Sequence, residues 1–430
     1  MNQDPGKRAD EGTVAPGLHH FMVLEGETPT RFHLRVDPDG GGMLLANAAE
    51  AAHLSPVGVL MAHGVLAGHP EEGIIQSVKA RFAGATDALV RADFERVRAL
   101  VADLTARRSD YPVTNLVGAD LGADGRKLAS PYSADITMGS IDQMQAILRS
   151  LWDAAIPQVN IVVNPETDPA ALVRTVEFTE DLGMIAGVRA IASWVPSGVL
   201  KEMAFAGLDY LALVFASADP VEHEEMVRAE GDFARVQATW NMCRELELCP
   251  IAQCPITDRT LGELDEMVEF IAERDVTDIW FFALACLDGE EEADAAGALP
   301  ARALPQAATT VFEAAEDYGR RIIWQPPVKF DPHLDLATHV IAGPRAGSDV
   351  AVRVEPDGSV FPARGRRTCA GNILKQTWQD IWSSPCFTRY REQVEAPSQS
   401  AACPDLPICD AWPPEDPAGW SDDSPEAETE

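Results

Sequence analysis

The sequence predicts an α/β protein: a partial parallel (β/α)6-type barrel lying between two smaller domains. Three observations carry that prediction. Between residues 131 and 325 short apolar runs alternate with segments of helical periodicity. Ahead of this stretch lie a turn-linked pair of strands and three helical segments, and behind it a Pro-Asp-Gly hairpin leads into a tryptophan-bearing helix. Strands separated by helices pair in parallel through right-handed crossovers, and about six such units are too few to close an eight-stranded barrel.

In chain order, residues 1–17 (MNQDPGKRADEGTVAPG) have no apolar signal core and read as a disordered leader. Residues 18–107 open with "FHLRVDPDGGGMLLANAAEAAHL", in which Asp37-Pro-Asp-Gly-Gly turns one short strand into another. Helical periodicity follows at 54–67, 70–82 and 91–105. A hairpin with three such helices makes a small winged-helix-like domain. Residues 108–130 are polar and glycine-rich, a linker. The strands of the barrel are expected at 133–138, 158–164, 186–193, 209–216, 249–256 and 277–285. Its helices are expected at 140–153, 168–182, 197–206, 219–229, 231–246 and 259–274, and "DGEEEADAAGALPARAL" (288–304) is an acidic loop before a helix at 305–319. Residues 326–413 hold "VEPDGSVFPARGRRTCAGNILKQTWQDIW" (354–382) and "CPDLPIC" (403–409), and residues 414–430 form an acidic tail expected to be disordered.

Sixty-eight acidic residues stand against thirty-four basic ones, a net charge of −34, and only six of the basic residues are lysine. Such a surface repels nucleic acid and anionic membranes, and suits a cytoplasm rich in salt, which screens the self-repulsion. No apolar run reaches the ~18 residues of a membrane span. Eight cysteines in 430 residues do not make a disulfide scaffold, and a reducing cytoplasm is expected.

The frame "PDGxVxP…GNIL…W…IW…C…C", following a partial α/β barrel, resembles radical S-adenosylmethionine proteins with a SPASM-type C-terminal domain. Residues 206–236, "AGLDYLALVFASADPVEHEEMVRAEGDFARV", are similar to that family's fourth strand and following helix, and residues 18–107 resemble the peptide chaperone of the pyrroloquinoline quinone pathway. The resemblance implies three thiolates in a Cys-x3-Cys-x2-Cys loop after the first barrel strand, holding a [4Fe–4S] cluster whose open iron takes S-adenosylmethionine. Here "SADITM" ends at Met138 and runs through Gly139-Ser140 into a helix, and no cysteine precedes Cys243. Asn164-Pro165-Glu166-Thr167 stands where the family has Gly-Gly-Glu-Pro, with Glu166 at the family glutamate. Ala363 replaces the cysteine expected after Pro362; Ser400 and Pro413 stand at two further ligand positions, and Ala411-Trp412 replace the closing glycines.

On this reading the domain is a degenerate SPASM type. The expectations are no bound cofactor and no S-adenosylmethionine binding, with one [4Fe–4S] auxiliary cluster on Cys369, Cys386, Cys403 and Cys409 as the alternative. The function expected is that of a non-catalytic scaffold that binds an active radical S-adenosylmethionine enzyme or its precursor peptide in haem, quinone or peptide modification. Two rivals stand beside it: a cluster-free enzyme using Asp135 and Glu166 at the barrel mouth, and an electron-transfer protein that keeps the auxiliary cluster. Cys249 and Cys254, five apart on a strand, face opposite ways and read as core thiols. His223 reads as structure at a helix start; Trp378 and Trp382, at i and i+4, read as packing.

Overall fold

The computed structural model describes residues 14–25, 28–46, 50–82, 84, 86–105, 129–195, 198–283, 285–286, 299–300, 303–325, 337, 351–362 and 369–388. The chain divides into two compact units, Met1–Arg108 with Trp152–Pro157, and Ser109–Leu151 with Gln158–Glu430.

In the first unit β1 (Gly17–Glu25), β2 (Thr28–Val36), β3 (Gly42–Ala46) and β4 (Glu50–Leu54) form an antiparallel sheet in sequence order. The expected pair of strands is thus the middle of a four-stranded meander. Helices α1 (Pro56–Leu66), α2 (Glu71–Arg81) and α3 (Asp87–Thr105) fall where the periodicity put them. Ser55 caps α1 by accepting the Gly58 N–H, and Pro56 opens it where no N–H is needed. Phe32, Leu34 and Leu44 from the sheet bury against Val59, Ile74, Val78, Phe94 and Val97 from the helices.

The second unit is built on a ten-stranded sheet. Its parallel strands are β5 (Ser133–Thr137), β6 (Gln158–Val162), β7 (Ile185–Ala190), β8 (Tyr210–Val214), β9 (Cys249–Ile256) and β10 (Asp278–Ala283), joined in sequence order. The connecting helices are α4 (Ile141–Asp153), α5 (Pro169–Asp181), α6 (Val199–Phe205), α7 (Pro220–Val227), α8 (Asp232–Glu245) and α9 (Leu264–Ala272). Asp168 and Asp219 cap α5 and α7, each followed by proline at the first helical position. The small pair β11 (Ala285–Cys286) and β12 (Leu299–Pro300) precedes α10 (Leu304–Asp317). Beyond it, β13 (Arg321–Gln325) adds a seventh parallel strand outside β10, where the sequence pattern suggested six.

At the other edge β14 (Ala351–Val354) pairs in parallel with β5 and turns into β15 (Ser359–Pro362) and β16 (Gly371–Asn372). The C-terminal hairpin therefore continues the barrel sheet. Asn372 holds its turn by donating to the Asp357 carbonyl, and Gly358, at φ +85, supplies the left-handed residue. Thr377 caps α11 (Trp378–Trp382), in which the two indoles stack 5.4 Å apart; Trp382 is buried, and Trp378 Nε1 donates to the Ala129 carbonyl at 3.2 Å. Among the described residues no helix is long and apolar enough to cross a membrane.

Strand parity sorts the large sheet's two faces. Ile136, Ile161, Val188, Leu211, Leu213, Ala252 and Phe281 are fully buried on the face that takes the helices. Alternate positions carry Asp135, Asn160, Arg189, Tyr210, Gln253 and Trp280 on the opposite face. That face is strongly curved. Strands three apart on a flat sheet lie about 14 Å from one another, yet the Arg189 guanidinium on β7 is 5.6 Å from the Trp280 ring on β10.

Candidate functional site

The concave face gathers a buried polar network from strands that, apart from these residues, are largely apolar. Asp135 accepts from Arg189 Nη1 through Oδ2 and from Asn160 Nδ2 through Oδ1, both at 2.6 Å. The Tyr210 hydroxyl donates to Asn160 Oδ1 and accepts from Gln158 Nε2 at 2.6 Å. Arg189 Nη2 donates to Gln253 Oε1 at 3.4 Å. Arg189 and Gln253 are fully buried, and Asp135 and Asn160 are each 4 % exposed. Burial holds the Tyr210 phenol well above its ordinary pKa, so it stays a neutral donor. Gly187 makes room for this ring: a Cβ there would lie 2.1 Å from Tyr210 Cζ.

Of the two carboxylates singled out in the sequence, Asp135 is thus an ion-paired part of the network. Glu166 lies in the turn after β6, exposed to solvent. Its N–H donates to Asn164 Oδ1 at 3.0 Å, and Asn164 also accepts from the Thr167 hydroxyl. No hydrogen bond or ion pair joins the two among the described residues. Sequence reasoning missed Arg189 and Gln253; the signal was a single long polar residue within the otherwise small or apolar strands "IAGVRA" and "CPIAQCPI".

His223 is fully buried as the hub of a second network. Its Nδ1 accepts the Ala216 backbone N–H at 3.0 Å, which places the proton on Nε2, and Nε2 donates to Asp232 Oδ2 at 3.0 Å. Asp232 Oδ1 accepts the Ser193 N–H at 2.6 Å. The imidazole ties the end of β8 to α7, α8 and the turn after β7, with both nitrogens committed.

The turn between β5 and α4 is three residues, Met138-Gly139-Ser140. Ser140 and Gln143 close it reciprocally, Ser140 N–H donating to Gln143 Oε1 at 3.0 Å and Gln143 N–H to Ser140 Oγ at 3.4 Å. A Cβ on Gly139 would meet Pro356 at 2.7 Å, so the C-terminal hairpin sits directly against this turn. With no thiol among them, the three residues of this turn do not fit an iron–sulfur cluster at that position.

The thiols lie elsewhere. Cys243 and Cys254 are fully buried; burial pushes the Cys243 thiol up to about 12, and Cys254 well above its ordinary value. Cys249, partly buried on the opposite face of β9 from Cys254, lies 3.6 Å from Asp278 Oδ2; burial and that carboxylate raise its pKa. Cys369 is exposed at the start of β16, its Sγ 3.3 Å from the Gly371 carbonyl, and Cys386 is half-buried after α11. Cys403, Cys409 and Ala363 lie outside the described residues. Among the described residues no group of three or more His, Cys, Asp or Glu is placed to hold a metal ion.

Residues 347–405 match the SPASM family, an iron–sulfur cluster-binding domain. Over 244 residues the chain is 26% identical to the PqqA peptide cyclase of Methylocella silvestris, covering 53% of this chain and 63% of that protein. The chain thus spans less than two thirds of that relative's length. SuiB of Streptococcus suis bound to S-adenosylmethionine superposes with a TM-score of 0.56 at 12% identity, covering 87% of this chain and 90% of SuiB. SuiB bound to its precursor peptide SuiA superposes with a TM-score of 0.55 at 12% identity and the same coverage. These findings overturn the expectations of no cofactor and no S-adenosylmethionine binding. The matched domain is an iron–sulfur cluster binder, and the solved protein of the same fold holds S-adenosylmethionine.

Proposed function

We propose that this chain, similar to radical S-adenosylmethionine and SPASM proteins, serves peptide modification as a precursor-binding scaffold beside a catalytic partner. The observation that carries this reading is the three-residue β5–α4 turn, closed by Ser140 and Gln143 and covered by Pro356. A barrel so closed lacks thiolates to seat a reductive cluster beneath its mouth, while the SPASM frame remains. The PqqA peptide cyclase is named for a peptide and SuiB is solved with its precursor peptide SuiA, which supports a peptide as the partner here. The four-stranded sheet with three helices supports a chaperone-like, winged-helix-like role for residues 18–107.

Iron–sulfur binding is assigned to the C-terminal thiols. Cys369, Cys386, Cys403 and Cys409 supply the four donors that a [4Fe–4S] cluster takes from protein. Such a cluster supplies one-electron transfer or structural cross-linking when bound. The chain's own contribution is to hold Cys369 two residues ahead of β16 and Cys386 beyond the stacked tryptophans of α11.

The test is anaerobic reconstitution with iron and sulfide, followed by incubation with S-adenosylmethionine and dithionite. About four irons per chain, lost on Cys369→Ser or Cys403→Ser, are expected, with S-adenosylmethionine binding followed by calorimetry and no 5′-deoxyadenosine released unless a cysteine-complete radical enzyme is added. Release of 5′-deoxyadenosine by this chain alone would replace the scaffold with a catalyst.

A further inference from the structure

Gln253 on β9 and Trp280 on β10 are direct partners across the parallel ladder, both on the concave face. Gln253 is fully buried; its Oε1 accepts from Arg189, which turns Nε2 the other way. Among the described residues neither Gln253 Nε2 nor Trp280 Nε1 has a hydrogen-bond partner, though both atoms are buried. A buried N–H left unmade costs about 1–3 kcal/mol, and here two such donors belong to directly paired residues on one face of the sheet. Trp280 is itself partly exposed, so this pair of donors lies beside a surface that solutes reach. Tyr210, 5.6 Å away and edge-on, and the Arg189 guanidinium brace the indole.

The chemistry of the acceptor follows from the charges around it. The Arg189 charge is already met by Asp135 at 2.6 Å, and both orphan donors are neutral. A carboxylate brought here would be stripped of water within the same buried cluster as Asp135, and the Arg189 charge beside the two donors is already matched. The geometry points to a binding site on the concave face for the carbonyl oxygen of a small uncharged compound, held by Gln253 Nε2 and Trp280 Nε1. The site uses neither the C-terminal thiols nor a peptide partner, so it stands or falls apart from the scaffold reading.

The experiment titrates the isotope-labelled full chain with N-acetylglycinamide and, separately, with acetate at matched ionic strength. The Trp280 indole N–H resonance is identified by its loss in Trp280→Phe. N-acetylglycinamide is expected to move that resonance saturably, and Gln253→Leu to weaken the binding about tenfold, with acetate leaving it in place. A resonance that ignores both probes, or moves equally in Gln253→Leu, overturns the site and leaves the two donors to water. Tighter binding of acetate overturns the choice of a neutral ligand. Should Gln253→Leu fail to fold, Gln253→Met, which keeps the length of the side chain and removes the donor, is read the same way.

Discussion

Arg189 on β7 and Asp135 on β5, two strands apart, meet at 2.6 Å with both side chains withdrawn from solvent. Their contact closes the concave face and orients the rest of the network, since Asp135 also fixes Asn160 and Arg189 also fixes Gln253. Removing one partner of a buried pair strands the other charge. Asp135→Ala should therefore cost about 3–5 kcal/mol in denaturant unfolding, whereas the double change Asp135→Leu with Arg189→Met recovers most of that loss. Equal losses in the single and the double variant would show that the pair is not what holds the strands.

Gly187 and Tyr210 are cross-strand partners, and the ring occupies the volume a side chain on residue 187 would need. Gly187→Ala should destabilise the chain by about 1–3 kcal/mol through overpacking. In a double-mutant cycle with Tyr210→Ala the two effects should be strongly non-additive, because truncating the ring removes the clash.

His33, buried on β2, has its pKa lowered to about 3 by burial first, then by Arg31 and His20. Its ordinary value is 6.5, so the unfolded chain takes up the proton before the folded one does. The stability linked to neutral His33 is complete above the unfolded value and falls as pH drops from there toward the folded one, by up to about 1.4 kcal/mol per pH unit. Urea unfolding between pH ~7.5 and ~5 should show a shallower loss in His33→Leu than in the wild type. Parallel slopes would mean that His33 protonates as readily folded as unfolded.

Thiol reactivity should follow burial. Iodoacetamide mapped by mass spectrometry is expected to label exposed Cys369 first and half-buried Cys386 next, leaving Cys243 and Cys254 intact in the native state. Labelling of Cys254 at the rate of Cys369 would contradict the packing of β9 against its helices.

Much of the second unit was legible in the sequence because its signals are local. "SADIT", "YLALV" and "DIWFFA" are short apolar strands between periodic helices, and each falls within about a residue or two of its expected place. The strand "RIIWQ" was missed because five residues after a helix carry no alternation to count, and only pairing with β10 reveals it. At the N-terminus β1 and β4 were missed because the longest turn signature, Asp37-Pro-Asp-Gly-Gly, lies between β2 and β3. The cofactor expectation erred differently. It weighed vacant ligand positions one by one, whereas the family match rests on the pattern of residues 347–405 as a whole.

By itself the sequence determined the alternation of strands and helices from β5 to β10, the net charge of −34 and the absence of any cysteine before Cys243, since these are read from composition and from neighbours along the chain. Only the tertiary structure decided that Asp135, Arg189, Gln253 and Trp280 converge, and that Pro356 closes the β5–α4 turn. The reason is geometric: strand parity selects which residues share a face, but sheet curvature, set by the packing of all the helices together, selects which of them touch.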